Sequence, residues 1–226
     1  MIVVTPTVGG REGPAEAPTR YVAVVTVWGD TGQFVREFVR APLHTASIAP
    51  SSPALAAAAT APLPANGSPV VVELGAGTGS ITRAIQERTG GSTRHIAIEL
   101  NERWAQLLAE RHPEVDVVRA DARDLPTLLA ERGIDAVDAV VSGLPWVAYS
   151  PGPDGRGLHA VITEVLAPAG VFTQFGYAWT RWAPPARRQL ADLRAHFAEV
   201  TTSPIVWRNL PPAVVYAARR PVRRDS

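Results

Sequence analysis

The segment from Val70 to Thr82, VVVELGAGTGSIT, constrains the fold more than any other stretch of this chain. Three valines and Glu73 lead into Gly75, Gly77 and Gly79, and a helix-like run follows. That order predicts a buried strand, a tight turn and a helix start, the opening βα unit of an α/β domain. Glycines let the backbone double back without a Cβ clash and let a small ligand approach main-chain groups. Nicotinamide-type turns space their glycines G-x-G-x-x-G. Here the spacing is G-x-G-x-G, with Glu73 two residues before the first glycine.

The remaining pattern extends this unit into a sheet. Further strands are expected at His95–Glu99, Val115–Arg119, Val137–Ser142, Val171–Phe175, Thr201–Val206 and Ala213–Ala218. Helices are expected at Ser80–Arg88, Glu102–Arg111, Leu125–Arg132, Leu158–Leu166 and Pro185–His196. Strands alternating with helices imply a parallel sheet covered on both faces. The last two strands have no helix between them, so a closing hairpin would make that pair antiparallel.

Ahead of this region the chain reads differently. Residues 1–30 are expected to be an arm with a strand-like segment at Tyr21–Trp28. Residues 31–66 are expected to be a helical lid or substrate-binding segment, residues 67–220 the main domain and residues 221–226 a tail. Gln33–Arg40 has helical periodicity, with Phe34 and Phe38 one turn apart. Ser51 or Ser52 suits the N-cap of an Ala-rich helix.

Composition removes several kinds of chemistry. The chain has no Cys, so thiolate metal sites and disulfides are excluded. Every basic residue is Arg, which excludes a Schiff-base lysine. A net charge of +1 gives no general attraction to nucleic acid. No His/Asp/Glu set has convincing metal-ligand spacing, so no metal is expected. Neither a membrane span nor a signal peptide is evident, and a cytoplasmic protein is expected.

The E-x-G-x-G-x-G string resembles motif I of the class I S-adenosylmethionine methyltransferases. The resemblance implies a Rossmann-like seven-stranded sheet and S-adenosylmethionine as methyl donor, with S-adenosylhomocysteine as product. Gly75, Ala76, Gly77 and Gly79 would then make room for the methionine part, and Glu73 would hold its amino group directly or through water. Glu99, about 20 residues past the glycine turn, sits where dinucleotide-binding folds bind a ribose diol, with Leu100 beside it. Asp121 and Ala122 end the third strand, where similar folds accept the adenine amino group and reach a ring nitrogen. Ser142 ends the fourth strand, where the acceptor atom should meet the methyl group.

Amino-methylating nucleic-acid enzymes carry Asn or Asp before a Pro-Pro or Leu-Pro pair. Here that position is Gly143, so the side-chain acceptor is missing and nucleic acid is not the expected partner. Five strings resemble bacterial phospholipid N-methyltransferases instead: FVRAPL at 38–43, TASIAPSS at 45–52, VVSGLP at 140–145, QFGY at 174–177 and NLPPA at 209–213. The resemblance implies methylation of the amine of phosphatidylethanolamine or a related amino lipid. It implies substrate contacts from Ser51, Leu144, Pro145, Trp146 and Tyr177, with Tyr177 also the catalytic candidate that grips the head group.

The Gln33–Arg40 helix would make peripheral contact at the inner face of the membrane, although it carries only Arg36 and Arg40 as basic charge. A soluble small-molecule amine is the alternative substrate, and an rRNA adenine a more remote one. His44 and His159 are candidates to take a proton. Trp179 and Trp182, interleaved with Arg181, are candidates to line an acyl or phosphate channel, and Arg208 to meet a phosphate.

Overall fold

The computed structural model describes residues 51–152 and 155–222. The expected Tyr21–Trp28 strand and Gln33–Arg40 helix, with Phe34, Phe38 and His44, lie outside the described residues. The described elements run α1 (Pro53–Thr60), β1 (Val70–Leu74), α2 (Ser80–Thr89), β2 (Arg94–Ile98), α3 (Glu102–Arg111) and β3 (Asp116–Val118). They continue with α4 (Leu125–Ala130), β4 (Val137–Ser142), α5 (Leu158–Val165), β5 (Leu166–Tyr177), α6 (Pro184–His196), β6 (Phe197–Thr202) and β7 (Ala213–Pro221).

Seven strands form one sheet in the order β3-β2-β1-β4-β5-β7-β6. β1 to β5 pair in parallel, and β7 is antiparallel to both β5 and β6. This is the seven-stranded architecture expected from the sequence, including the antiparallel ending.

Strand alternation sends successive side chains to opposite faces. Val72, Leu74, Ile96, Ile98 and Val140 pack with Leu125 and Leu129 of α4, Ile162 of α5 and Leu193 of α6. Val71, Ala139, Val141 and Val215 pack against Leu55, Ala56 and Ala59 of α1 and Ile81 and Ile85 of α2. Leu108 of α3 closes over Ala97 on this second side. Fully burying Leu55 or Ile85 is worth about 1.5–3 kcal/mol each over exposure. α1 therefore works as part of the core layer.

Local chemistry explains the helix starts. Ser52 caps α1, its hydroxyl accepting from the Leu55 N–H at 3.1 Å, with Pro53 at the first helical position. Asn101 caps α3 by accepting from the Trp104 N–H at 3.1 Å. Far along the chain, Asn209 Oδ1 accepts from the Ser52 N–H at 2.9 Å while its amide donates to the Pro211 carbonyl at 2.8 Å. The NLPP turn thus holds the entry to α1.

The bounds of β2 and β3 shift by one residue, β7 runs on to Pro221, and β5 and β6 depart most from expectation. β5 runs from Leu166 to Tyr177, longer at both ends than Val171–Phe175. β6 is Phe197–Thr202, earlier than the expected Thr201–Val206. Phe197 is fully buried against Phe172, so α6 passes straight into the strand. Pro204, which has no N–H to donate, follows the strand's end.

Candidate active site

The carboxyl ends of the inner strands are tied together by main-chain bonds. The Gly75 N–H donates to Ile98 O and the Gly143 N–H to Leu74 O, both at 2.8 Å, and the Glu99 N–H donates to Val118 O at 3.0 Å. These bonds bring the ends of β1, β2, β3 and β4 to one edge of the sheet. A cleft of about 250 Å³ opens there, bordered by Gly75, Gly77, Glu99, Asp121, Gly143 and Leu144, among others. In open α/β sheets the crevice outside the carboxyl ends of the strands is the ligand site.

The glycines are required by close approach. A Cβ on Gly143 would lie 2.8 Å from the Gly75 carbonyl oxygen, so β1 and β4 could not keep their turns in register with a larger residue. Gly77, at φ +51°, meets nothing nearer than 4.0 Å, so its missing side chain leaves open space at the cleft.

Glu99 is positioned by the turn itself. Its Oε2 accepts from the Gly77 N–H and its Oε1 from the Asn101 N–H, each at 2.9 Å. Each carboxylate oxygen retains a second lone pair for a ligand diol. Asp121, also on the cleft lining, accepts through Oδ1 from the Arg123 N–H at 2.9 Å. Arg123 is held in place by the Ala148 and Ser150 carbonyls.

Of the other expected cofactor residues, Leu100 and Ala122 border the cleft, whereas Glu73, Ala76, Gly79 and Ser142 do not. Glu73 is fully buried beneath α2, its Oε2 accepting from the Thr82 hydroxyl at 2.7 Å. His95 Nε2 lies 3.2 Å from the same oxygen, off the hydrogen-bond axis, while Glu73 Oε1 is buried with no partner. Ala76 packs with Ala97 and Leu108, and Gly79 caps α2 beside Leu108 and His112.

Ser142 faces inward and braces its own loop. Its hydroxyl accepts from Tyr149 at 2.5 Å and from the Leu144 N–H at 3.2 Å. Tyr149 is buried, its ring tilted against that of His159 with centroids 4.6 Å apart, and burial pushes its pKa well up. Spacing did not single out His159, Asp192 and His196 as a group, yet they converge here. His159 Nδ1 sits 2.6 Å from Asp192 Oδ2, and His196 Nδ1 lies 2.9 Å from the Asp192 carbonyl. His159 is fully buried behind the site, so it is not placed to take a proton from a substrate in the cleft.

The expected substrate residues divide into two groups. Leu144 and Pro145 border the cleft. Trp146, Tyr177 and Ser51 lie outside its lining. A Cβ added at Gly176 would come 3.5 Å from the Trp146 indole nitrogen, so that ring lies against the end of β5. Tyr177 ends β5 on the α1 side, its ring edge-on to Phe175 at 6.1 Å. Burial raises its pKa above the ordinary tyrosine value. Ser51 directly precedes the cap of α1 and is half-buried. Trp179, Arg181, Trp182 and Arg208 are exposed in the turns after β5 and β6 and do not border the cleft.

Sequence reasoning missed Trp104, Arg123, Ala148 and Leu158, which also border the cleft. Trp104 had one usable signal, since it follows three residues after the Asn101 cap. Nothing in the local sequence around Ala148 or Leu158 marked them. Among the described residues, no helix is long and apolar enough to cross a membrane.

The residues fit S-adenosylmethionine on structural grounds. The turn leaves open space beside the Gly77 backbone, and Glu99 offers paired acceptors at the cleft.

Comparison with known proteins agrees. A methyltransferase domain model matches residues 71–170. The ornithine lipid N-methyltransferase of Singulisphaera acidiphila is 40% identical over 194 residues, covering 82% of this chain and 94% of that protein. TrmN from Thermus thermophilus shares the fold at a TM-score of 0.53 and 20% identity, covering 74% of this chain and 48% of its own. The chain thus spans about half the length of that structure. Fibrillarin from Aeropyrum pernix, solved with S-adenosylmethionine, matches at a TM-score of 0.51 and 14% identity, covering 69% of this chain and 68% of its own. The glycine turn, the strand-end carboxylates and the long match to a curated relative agree: the chain belongs to the class I S-adenosylmethionine-dependent methyltransferases, in the family that includes ornithine lipid N-methyltransferase.

Proposed function

We propose that this methyltransferase transfers a methyl group to the amine of a membrane amino lipid, either phosphatidylethanolamine or an ornithine-type lipid. One observation carries the reading: the 40% identity to an ornithine lipid N-methyltransferase over 94% of its length. Gly143 in place of an amide or carboxylate acceptor argues against a nucleobase.

S-adenosylmethionine, when bound, supplies an activated methyl whose sulfonium sulfur is the leaving group. Glu99 would hold the ribose, Asp121 and Ala122 the adenine edge, and the Gly75–Gly79 turn the methionine part, while Glu73, bonded to Thr82 beneath α2, would support that turn from behind. The chain's remaining task is alignment. An amine nitrogen must present its lone pair in line with the methyl–sulfur bond, and well-oriented reactants can save about 7–11 kcal/mol of barrier in favourable cases.

Leu144 and Pro145 form the floor that the acceptor meets. Tyr177, a phenol that is protonated at neutral pH and whose pKa burial raises further, orients the amine through its hydroxyl and is not the base. The neutral amine attacks, and the resulting ammonium then releases a proton to solvent. Trp146 supplies an aromatic wall suited to a cationic head group.

The test offers phosphatidylethanolamine vesicles, ornithine lipid vesicles and free ornithine to the protein with S-adenosylmethionine, and follows methylated product by mass spectrometry. Methylated lipid is expected. Product from free ornithine alone would replace this reading with a soluble-amine methyltransferase.

A further inference from the structure

We propose that the loops at the outer end of β5, β6 and β7 form a bilayer-docking face, on which interfacial tryptophans and arginines seat the cleft against an anionic membrane surface. The argument starts from where the apolar side chains are exposed. Among the described residues the exposed large hydrophobics are Leu100, Trp179, Trp182, Trp207, Leu210 and Val222. All but Val222 lie beyond the carboxyl ends of β2, β5 and β6, the edge of the sheet on which the cleft opens.

Trp182 and Trp207 are each 72% exposed, Leu210 59% and Trp179 50%. Exposing several large apolar groups at one end costs solubility and calls for a partner surface.

The loops that carry these residues are joined. Tyr177 pairs with Ala213, the Ala178 N–H donates to the Pro212 carbonyl at 2.8 Å, and Val206 bridges to Ala213. Asn209 fixes the same turn to the start of α1. The turns at 178–183 and 203–212 therefore form one braced rim. The rim also meets the cleft wall, because Trp146 follows the lining residue Pro145 and lies against Gly176 near the end of β5.

Charge gives the face its chemistry. No acidic residue occurs between Glu164 and Asp192, or between Glu199 and Asp225. Arg181, Arg187, Arg188 and Arg208 are all exposed within those stretches. The Arg181 guanidinium sits 4.6 Å above the Trp182 ring. Tryptophan favours the head-group layer of a bilayer, and arginines near that layer are drawn to anionic lipid. A protein partner with an acidic face would suit the arginines alone. Aromatic and basic groups at a lipid enzyme's cleft rim fit a membrane better, because the substrate amine must enter from that surface.

This proposal rests on the amino-lipid reading, and the test separates the two. Flotation measures binding of the full chain to vesicles of phosphatidylcholine, with and without phosphatidylglycerol, in the absence of turnover. Wild-type protein should float with the mixed vesicles. Trp207→Ser/Leu210→Ser should bind them about tenfold more weakly, and Arg181→Gln/Arg208→Gln should lose about fivefold per arginine, only when phosphatidylglycerol is present.

Affinity for S-adenosylmethionine by calorimetry should stay unchanged in both variants, which establishes that they fold. Undiminished flotation of both folded variants would overturn the docking face. So would loss of flotation confined to Phe34→Ser/Phe38→Ser, which would place docking on the N-terminal segment. Wild-type flotation without methylation of any lipid would sink the lipid substrate while leaving the docking face standing.

Discussion

Glu99 Oε2 accepts from the Gly77 N–H at 2.9 Å, so the end of β2 and the glycine turn after β1 hold each other in place. The Asn101 N–H occupies the other carboxylate oxygen at the same distance. One side chain thus shapes the turn and presents acceptors to the cleft. Charge-assisted hydrogen bonds contribute about 1.5–3 kcal/mol each. Glu99→Ala should weaken S-adenosylmethionine binding at least about tenfold in calorimetry, and Glu99→Gln should weaken it less because one acceptor oxygen remains. Wild-type affinity in Glu99→Ala would contradict the ribose assignment.

Gly143 is the contact point between two turns. Its N–H donates to Leu74 O at 2.8 Å, and a Cβ there would come 2.8 Å from Gly75 O. Gly143→Ala should destabilise the fold by about 1–3 kcal/mol, in line with overpacking a tight site. Thermal unfolding should move down by several degrees, and donor affinity should fall with it. An unchanged melting temperature would mean that the two turns separate without cost.

Tyr149 links alkaline stability to the acceptor loop. Burial is the main cause of its raised pKa, and its bond to Ser142 acts the other way. In the unfolded chain the phenol ionises near its ordinary value, while in the fold it stays protonated. The unfolded state therefore binds fewer protons above about pH 10, and stability falls as pH rises there. Tyr149→Phe should be less stable than wild type at neutral pH by about 0.5–1.5 kcal/mol for the lost hydrogen bond. It should also lose stability less steeply above pH 10. Parallel pH curves for the two proteins would refute the link.

Tyr177 offers a cleaner catalytic test. With its pKa raised by burial, it cannot shed its proton to serve as a base near neutrality. Tyr177→Phe should reduce kcat/KM for the amino lipid about tenfold, the loss of one orienting hydrogen bond, and leave donor affinity unchanged. The rate should still rise with pH in both proteins as the substrate amine loses its proton. A change in the shape of that profile would assign Tyr177 a proton-transfer role.

Asn209 ties the last loop to the first described helix. Removing its amide in Asn209→Ala leaves the Ser52 N–H and the Pro211 carbonyl without this partner, at about 1–3 kcal/mol. Limited proteolysis should then cut near residues 51–60 before the rest of the domain. Uniform resistance would show that apolar packing of Leu55 and Ala59 alone holds α1.

The glycine spacing, the strand-helix alternation and the carboxylates at strand ends indicate the fold class, and the resemblance they carry implies the methyl donor; Gly75, Gly77, Glu99, Leu100, Asp121, Ala122, Leu144 and Pro145 do border the cleft. These features are local: a turn, a period of two and a chain-order offset are all written within short windows. Two things depended on tertiary contact. Ser142 and Glu73 read as ligand residues by position, yet Ser142 is turned to Tyr149 and Glu73 to Thr82, because strand alternation and neighbouring helices decide which face a side chain meets. The joining of the 178–183 and 203–212 turns through Ala178 and Pro212, and of His159 with Asp192 behind the loop, came only from packing. Such pairs lie tens of residues apart in the chain. No local pattern encodes their meeting: the two turns meet because β7 inserts between β5 and β6, and His159 meets Asp192 because α5 and α6 pack side by side.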